Sequence, residues 1–366
     1  MSHASASSLS IEVQPTSQPT SAERREEVLA APGFGRYFTD HMLVAEWTPD
    51  VGWHQARVQA YAPFQIDPAS AVLHYAQEIF EGTKAYRHDD GSIWSFRPGA
   101  NAARFRRSAA RMALPELPEA DFVAAVDALV STDRDWVPSG AETSLYLRPF
   151  MFASEVFLGV RPAQHVTFCV IASPAGSYFP GGVRPVSIWL SEEFSRAAQG
   201  GTGEAKCGGN YAASLLAQQE AIAQGCDQVA FLDATEHRWV EELGGMNLFF
   251  VHADGHLVTP ALSGTILEGV TRSSVLEIAD TLGHKVDERR VDIAEWRDGV
   301  ASGEITEVFA CGTAAVVTPV GTLRWAGGEV TGSTESGEVS SRIRSALLDV
   351  QYGRAEDSRG WMHQIC

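Results

Sequence analysis

One lysine stands out for the chemistry its surroundings could support. Lys206 lies in the run Gly200-Gly201-Thr202-Gly203-Glu204-Ala205-Lys206-Cys207-Gly208-Gly209-Asn210-Tyr211, with five glycines around it. Glycine lets a backbone approach a ligand closely. A neutral lysine amine can attack a carbonyl and hold it covalently. Two phosphate-binding patterns fail to explain the segment. A P-loop needs glycine before the lysine and serine or threonine after it, and Ala205 and Cys207 stand there. In the dinucleotide pattern GxGxxG, Lys206 occupies the place of the last glycine. Residue types alone leave two readings open, a solvated loop lysine or a reactive one, and most lysines are solvated.

The elements around this loop set its context. A helix is expected over 211–223, directly after it. Further helices are expected over 101–112, 271–282 and 338–349, and over 120–130, where apolar residues recur at helical spacing. Strands are expected over 92–96, 144–152, 166–172, 186–190, 229–232, 247–251 and 307–310. Residues 71–86 mix a helix with a turn at Gly82. Residues 174–185 carry three prolines and three glycines and form the best domain boundary. The division expected is a disordered leader over 1–22, a smaller α/β domain over 23–173, an interdomain loop over 174–185 and a larger domain over 186–366. The leader is rich in Ser, Ala, Pro and Thr and has neither an apolar signal core nor an arginine-rich amphipathic pattern.

At 366 residues the chain is too long for one ordinary core, so two domains are the default. Hydrophobic residues at 45% and charged residues at 20% fit a soluble globular protein. The 28 Lys+Arg against 46 Asp+Glu give a net charge of −18. Such a surface disfavours nucleic acid and anionic membranes as partners. An anionic ligand must then be captured by donors concentrated locally. The five cysteines, at 169, 207, 226, 311 and 366, form no CxxC pair, and their odd number argues against a closed disulfide framework. A reducing cytoplasm is the expected compartment. No apolar run reaches the length needed to span a bilayer.

Eight motifs fall along the chain in order. They run from Phe34-Gly35 with Phe38-Thr39-Asp40-His41-Met42, through Leu73-His74-Tyr75 with Phe80-Glu81-Gly82 and Lys84-Ala85, to Ser144-Leu145-Tyr146-Leu147-Arg148-Pro149 and Tyr178-Phe179-Pro180. They continue with Lys206-Cys207-Gly208-Gly209-Asn210-Tyr211, Glu242-Leu243-Gly244-Gly245-Met246-Asn247, Gly269-Val270-Thr271-Arg272 and Gly312-Thr313-Ala314. In this the chain resembles the branched-chain aminotransferases, a class IV aminotransferase family of fold type IV that uses pyridoxal 5'-phosphate. The resemblance covers about residues 34 to 320. It implies an α+β enzyme with a smaller N-terminal domain and a larger cofactor-binding pseudo-barrel domain. The implied reaction is reversible transamination of L-leucine, L-isoleucine and L-valine with 2-oxoglutarate.

The resemblance also implies roles. Lys206 would carry the cofactor as a Schiff base and shuttle the substrate's α-proton. Glu242 would bond the pyridine nitrogen and keep it protonated. Its neighbour Glu241 competes on sequence alone, and the spacing to Asn247 in the family pattern favours Glu242. Tyr211 would hold the phenolic oxygen. Arg104, the amides of Val270 and Thr271 at a helix start, and the Thr313 hydroxyl would take the phosphate. The Ala314 amide, beside Thr313, would take the substrate α-carboxylate. Phe34, Tyr75, Phe80, Tyr146 and Tyr178 would line an aromatic pocket suited to branched aliphatic side chains. Arg148 would receive the side-chain carboxylate of glutamate. Leu158 and Val160 match a loop given across a dimer interface, so a homodimer is implied, and no metal is expected. Where some relatives carry a redox CxxC after Gly-Thr-Ala, this chain has Ala315 and Thr318, so that switch should be missing.

Other readings compete. A D-amino-acid transaminase or a lyase of the same fold type is disfavoured by the runs around Tyr146 and Phe80. A non-catalytic binder of a phosphorylated metabolite is disfavoured by intact Lys206, Tyr211 and Glu242. A dinucleotide-dependent oxidoreductase lacks a qualifying glycine fingerprint.

Overall fold

The computed structural model describes residues 9–176, 183–332 and 335–366. Two compact units make up the chain. The first comprises Met1–Pro180, Ala205–Gly208 and Val350–Cys366, and the second Gly181–Glu204 and Gly209–Asp349. Two stretches of the expected 186–366 domain thus belong to the first unit, the Lys206 segment and the C-terminus. No helix among the described residues is long and apolar enough to cross a membrane.

The first unit is built on one sheet. Its strands are β1 (Glu12–Val13), β2 (His41–Thr48), β3 (Gly52–Ala60), β4 (Glu78–Phe80), β5 (Thr83–Arg87), β6 (Ile93–Phe96), β7 (Ser144–Ala153), β8 (Val166–Ala175) and a last strand, Met362–Gln364. They lie in the order β1-β3-β2-β8-β7-β5-β6 and then the last strand, with β4 paired off β7. β8 reads as a nearly continuous apolar run because it is buried on both faces between β2 and β7. The helices are α1 (Ala22–Ala30), α2 (Ala71–Tyr75), α3 (Pro98–Arg111) and α4 (Glu119–Thr132). Rings of α3, α4 and β8 close the core, with Phe105 5.3 Å from Phe122 and 5.7 Å from Phe168 between centroids.

α3 presents two adjoining stripes. Pro98 starts it, where a missing N–H costs nothing. Ala102, Phe105 and Ala109 form the apolar stripe that packs on the core. Asn101, Arg104 and Ser108 are also buried, one position before each of these. Helical spacing therefore fixes three polar side chains on one face.

Two expectations need correction here. Residues 71–86 contain only one helical turn and a half, α2. Ala76 ends it in the left-handed region at φ 48°, and β4 and β5 then run on either side of Gly82. The leader is ordered from residue 9 onward. Glu12–Val13 pairs in parallel with Arg57–Val58, and Leu9 and Ile11 pack on the core. The Thr16 amide donates to His41 Nε2 at 2.9 Å, and the Thr20 hydroxyl to Asp40 at 2.6 Å. Its polar composition hid an anchoring that depends on few but well-placed contacts.

The second unit has strands β9 (Val186–Ser191), β10 (Gln228–Leu232), β11 (Val240–Leu243), β12 (Asn247–His252), β13 (Leu257–Pro260), β14 (Val286–Arg289), β15 (Ile305–Gly312), β16 (Val316–Trp325) and β17 (Gly328–Thr331). Their order is β11-β10-β9-β16-β15-β12-β13-β14, with β17 on β16. Its helices are α5 (Gly208–Ala223), α6 (Val270–Thr281), α7 (Ile293–Ser302) and α8 (Glu338–Gln351). Phe249 and Phe309 face each other across β12 and β15 and stack at 5.1 Å. Phe250, on the other face of β12, meets Trp296 of α7 at 5.2 Å.

Deleting residues 1–21 is expected to destabilise the protein by about 2 kcal/mol, the order of two partly buried apolar side chains and the lost strand pairing. Urea unfolding measures it. An unchanged midpoint would mean the segment is a disordered leader after all.

Candidate active site

The Lys206 loop is held rather than loose. The Lys206 amide donates to Ser108 Oγ at 3.0 Å, and its carbonyl accepts from the Phe80 amide at 2.9 Å. The Gly208 amide donates to the Glu78 carboxylate. Burial pushes the Glu78 carboxyl up from its usual value. The Lys206 ammonium position lies 4.8 Å above the centre of the Phe80 ring.

Beside it stands a buried ion pair. Glu81, with no solvent exposure, accepts from Arg104 Nε at 2.7 Å and Nη2 at 2.9 Å. It also takes Asn101 Nδ2 at 2.8 Å and the Gly82 amide at 3.1 Å. Burial alone would push the Glu81 carboxyl up, but the Arg104 guanidinium, with help from Lys206 and Asn101, holds it below the usual carboxylate range. The polar stripe of α3 is thus used in full: Asn101 and Arg104 on Glu81, Ser108 on Lys206.

An aromatic group completes this unit. Arg148 lies over the Phe80 ring at 4.7 Å and the Tyr146 ring at 5.4 Å, and its Nη2 donates to the Tyr146 hydroxyl at 3.0 Å. Its Nε is buried and makes no hydrogen bond among the described residues. Phe34 meets Tyr146 edge to face at 5.0 Å. Gly82 is required here, since a Cβ would run into the Tyr146 hydroxyl. Tyr75 is a separate feature, its hydroxyl donating to the Leu158 carbonyl. Leu158 and Val160 are 59% and 85% exposed. Tyr178 lies outside the described residues.

In the second unit β11 carries Glu241 and Glu242, whose side chains leave opposite faces of the strand. Glu242 is ion-paired with Arg196 and accepts from the Leu267 amide at 3.0 Å and Asn247 Nδ2 at 3.2 Å. Glu241 takes a hydrogen bond from Thr265 through one oxygen, while the other is buried with no partner. Burial pushes the Glu241 carboxyl up. The environments therefore separate two carboxylates that residue types could not.

Asn247 also donates to the Leu267 carbonyl at 3.1 Å, on the segment leading into α6. Gly269 precedes α6 and must be glycine, because a Cβ would overlap Asn247. No side chain caps that helix, so the amides of its first turn, from Val270 and Thr271, remain available to an anion. Tyr211, in the first turn of α5, has its ring against Gly245. Thr313 and Ala314 are half-buried in the turn from β15 to β16, which closes on Val316 at φ 63°, a strained value for a β-branched residue. Ala315 and Thr318 do face each other, the Thr318 hydroxyl 3.5 Å from the Ala315 carbonyl, but neither is a thiol. The nearby Cys311 thiol is pushed up to about 12 by burial, which makes it a poor nucleophile.

Sequence reasoning did not single out Glu78, Ser108 or Arg196, and it gave Glu81 no role. Each acts on a partner far away in the chain, and no local pattern marks such pairings.

The amino-transferase class IV family model matches residues 78–323. A probable branched-chain-amino-acid aminotransferase of Streptomyces coelicolor is 59% identical over 357 residues, covering 97% of this chain and 98% of that one. The crystal structure of the Escherichia coli branched-chain amino acid aminotransferase superposes with a TM-score of 0.76 at 27% identity, covering 89% of this chain and 99% of that one. The T.th. branched-chain amino acid aminotransferase with pyridoxamine 5'-phosphate gives 0.73 at 31% identity, covering 88% and 98%.

Glu81→Gln should cost about 3 kcal/mol at neutral pH, because it leaves the buried Arg104 charge without its carboxylate. Glu81 titrates lower in the folded chain than in the unfolded one. Its contribution is therefore full above the ordinary carboxylate range and lost as pH falls through the lowered value. Denaturant midpoints of the two proteins should differ at pH 7 and converge in acid. Equal midpoints at pH 7 would contradict the assignment.

Proposed function

The chain belongs to the class IV aminotransferases, and from that premise we propose that it exchanges amino groups between L-leucine, L-isoleucine or L-valine and 2-oxoglutarate. Its cofactor is pyridoxal 5'-phosphate. The observation that carries the reading is Lys206, fixed by its backbone above the Phe80 ring, with Arg148 and Tyr146 against the same ring group.

The residues present fit that cofactor. Its anionic end calls for Arg104 and for the uncapped start of α6 at Val270 and Thr271, with Thr313 adding a hydroxyl. Its ring nitrogen calls for an anionic carboxylate, and Glu242 has a buried guanidinium beside it. Tyr211 would donate to the phenolic oxygen. When bound, the cofactor supplies an electron-accepting ring. The chain's own work is then to hold and to move a proton. The Lys206 amine would anchor the cofactor and, once displaced by the substrate's amino group, would carry the proton from the substrate's Cα to the cofactor carbon that receives that amino group.

Substrate choice follows from Phe34, Tyr75, Phe80 and Tyr146, with Tyr178 assigned from the family pattern alone. Aromatic faces accept isobutyl, sec-butyl and isopropyl groups without a polar partner. Glutamate needs more, and the buried Nε of Arg148, without a partner among the described residues, is a donor in want of an acceptor. The Ala314 amide would receive the α-carboxylate common to both substrates. Exposed Leu158 and Val160 support a homodimer in which this loop meets the partner copy. Five free cysteines support a reducing cytoplasm as the compartment.

Protein loaded with cofactor should convert L-leucine and 2-oxoglutarate to the branched 2-oxo acid and glutamate, and should leave D-alanine untouched. Lys206→Ala should lose multiple turnover. Retention of turnover in that variant, or absence of activity on all three branched substrates, would sink the reading. Arg148→Gln should raise KM for glutamate by about tenfold or more, the worth of a charged hydrogen bond, with KM for leucine little changed. Parallel rises in both would remove Arg148 from substrate selection.

A further inference from the structure

Arg196 lies beyond β9, with a side chain only 4% exposed. Its Nη2 pairs with Glu242 and donates to the carbonyls of Gly203 at 3.0 Å and Thr265 at 2.7 Å. Its Nε is buried and makes no hydrogen bond among the described residues. A guanidinium buried with an orphaned donor is a costly way to tie loops together, and an apolar side chain of similar volume often does so better. What only the cation supplies is charge at Glu242.

The ion pair of Glu242 is with Arg196. Glu241, next along β11, is held by Thr265; burial pushes its carboxyl up, while Thr265 and Arg196 pull it down. Asn247 and the Leu267 amide bond Glu242 but carry no charge. From α6, Arg272 is engaged with Glu288 at 2.7 Å and with the Pro260 carbonyl at 2.9 Å. From β15, the Cys311 thiol is kept protonated by burial.

We propose that Arg196 is a positioning residue that keeps Glu242 anionic and aimed, so that the cofactor's ring nitrogen is held protonated. The proposal rests on the reading of Glu242 as the ring-nitrogen partner. Without the guanidinium, a carboxyl as buried as Glu242 favours its neutral form, and a neutral acid cannot stabilise a pyridinium. The same nitrogen of Arg196 binds the carbonyl of Gly203, a residue of the glycine-rich loop, and so fixes where the charge stands.

The test uses holoenzyme loaded with pyridoxal 5'-phosphate labelled with nitrogen-15 in the ring. In the wild type the resonance should be that of a protonated ring nitrogen at neutral pH. Arg196→Gln should shift it toward the unprotonated position and lower kcat for leucine, with KM little changed. Arg196→Lys keeps the charge and loses the forked contacts, so it should melt earlier yet keep the protonated resonance. Arg196→Gln with a protonated ring nitrogen would overturn the proposal, as would Arg196→Lys with an unprotonated one. The lysine variant decides the matter should the glutamine variant fail to fold. Glu242→Gln separates the two claims. If it leaves the nitrogen protonated, the reading of Glu242 falls and the proposal with it. If it removes the proton while Arg196→Gln does not, only the proposal falls.

Discussion

The placing of Lys206 depends on one face of one helix. α3 packs Ala102, Phe105 and Ala109 into the core, and helical geometry then forces Asn101, Arg104 and Ser108 onto the adjoining stripe. Ser108 holds the Lys206 amide, and Arg104 with Asn101 holds Glu81. A change that rotated α3 by a fraction of a turn would disturb all three at once. Within the glycine loop, Ala205 and Cys207 are buried in the core on either side of Lys206. The loop's order comes from these contacts and from the Phe80 amide and the Glu78 carboxylate.

A chain with a net charge of −18 must make its positive places locally. The guanidiniums it buries are matched by carboxylates, Arg104 with Glu81 in one unit and Arg196 with Glu242 in the other. Such pairs add little to stability compared with apolar packing. Their value is in fixing the charge state and direction of a group without help from solvent. The cysteines show the converse. At Cys311 the effect of burial outweighs the pull of Arg272, and the thiol stays protonated.

Much of the fold was legible because its signals are local. The apolar run of β8 and the periodicity of α4 are each written within a short stretch of chain. Lys206 and Glu242 were singled out only through their motifs, since a lysine among glycines has a bland reading as well. What stayed hidden is long-range. Ser108 and the Lys206 amide are 98 residues apart, and Arg196 meets Glu242 through the fold alone. The C-terminus returns to the first unit because Met362–Gln364 pairs with β6, some of it with Trp94 and Ser95, which no local pattern announces. The leader misled for a related reason. Composition reports the average polarity of a segment, while its order rests on a two-residue strand and a few side-chain partners.

The chain contains three lysines, Lys84 buried in β5, Lys206, and the exposed Lys285 beside Asp287. That scarcity makes the central claim directly measurable. Borohydride reduction of cofactor-loaded protein should fix one phosphopyridoxyl group per chain, and peptide mass mapping should find it on Lys206. Its appearance on Lys84 or Lys285, or on no lysine, would contradict the account.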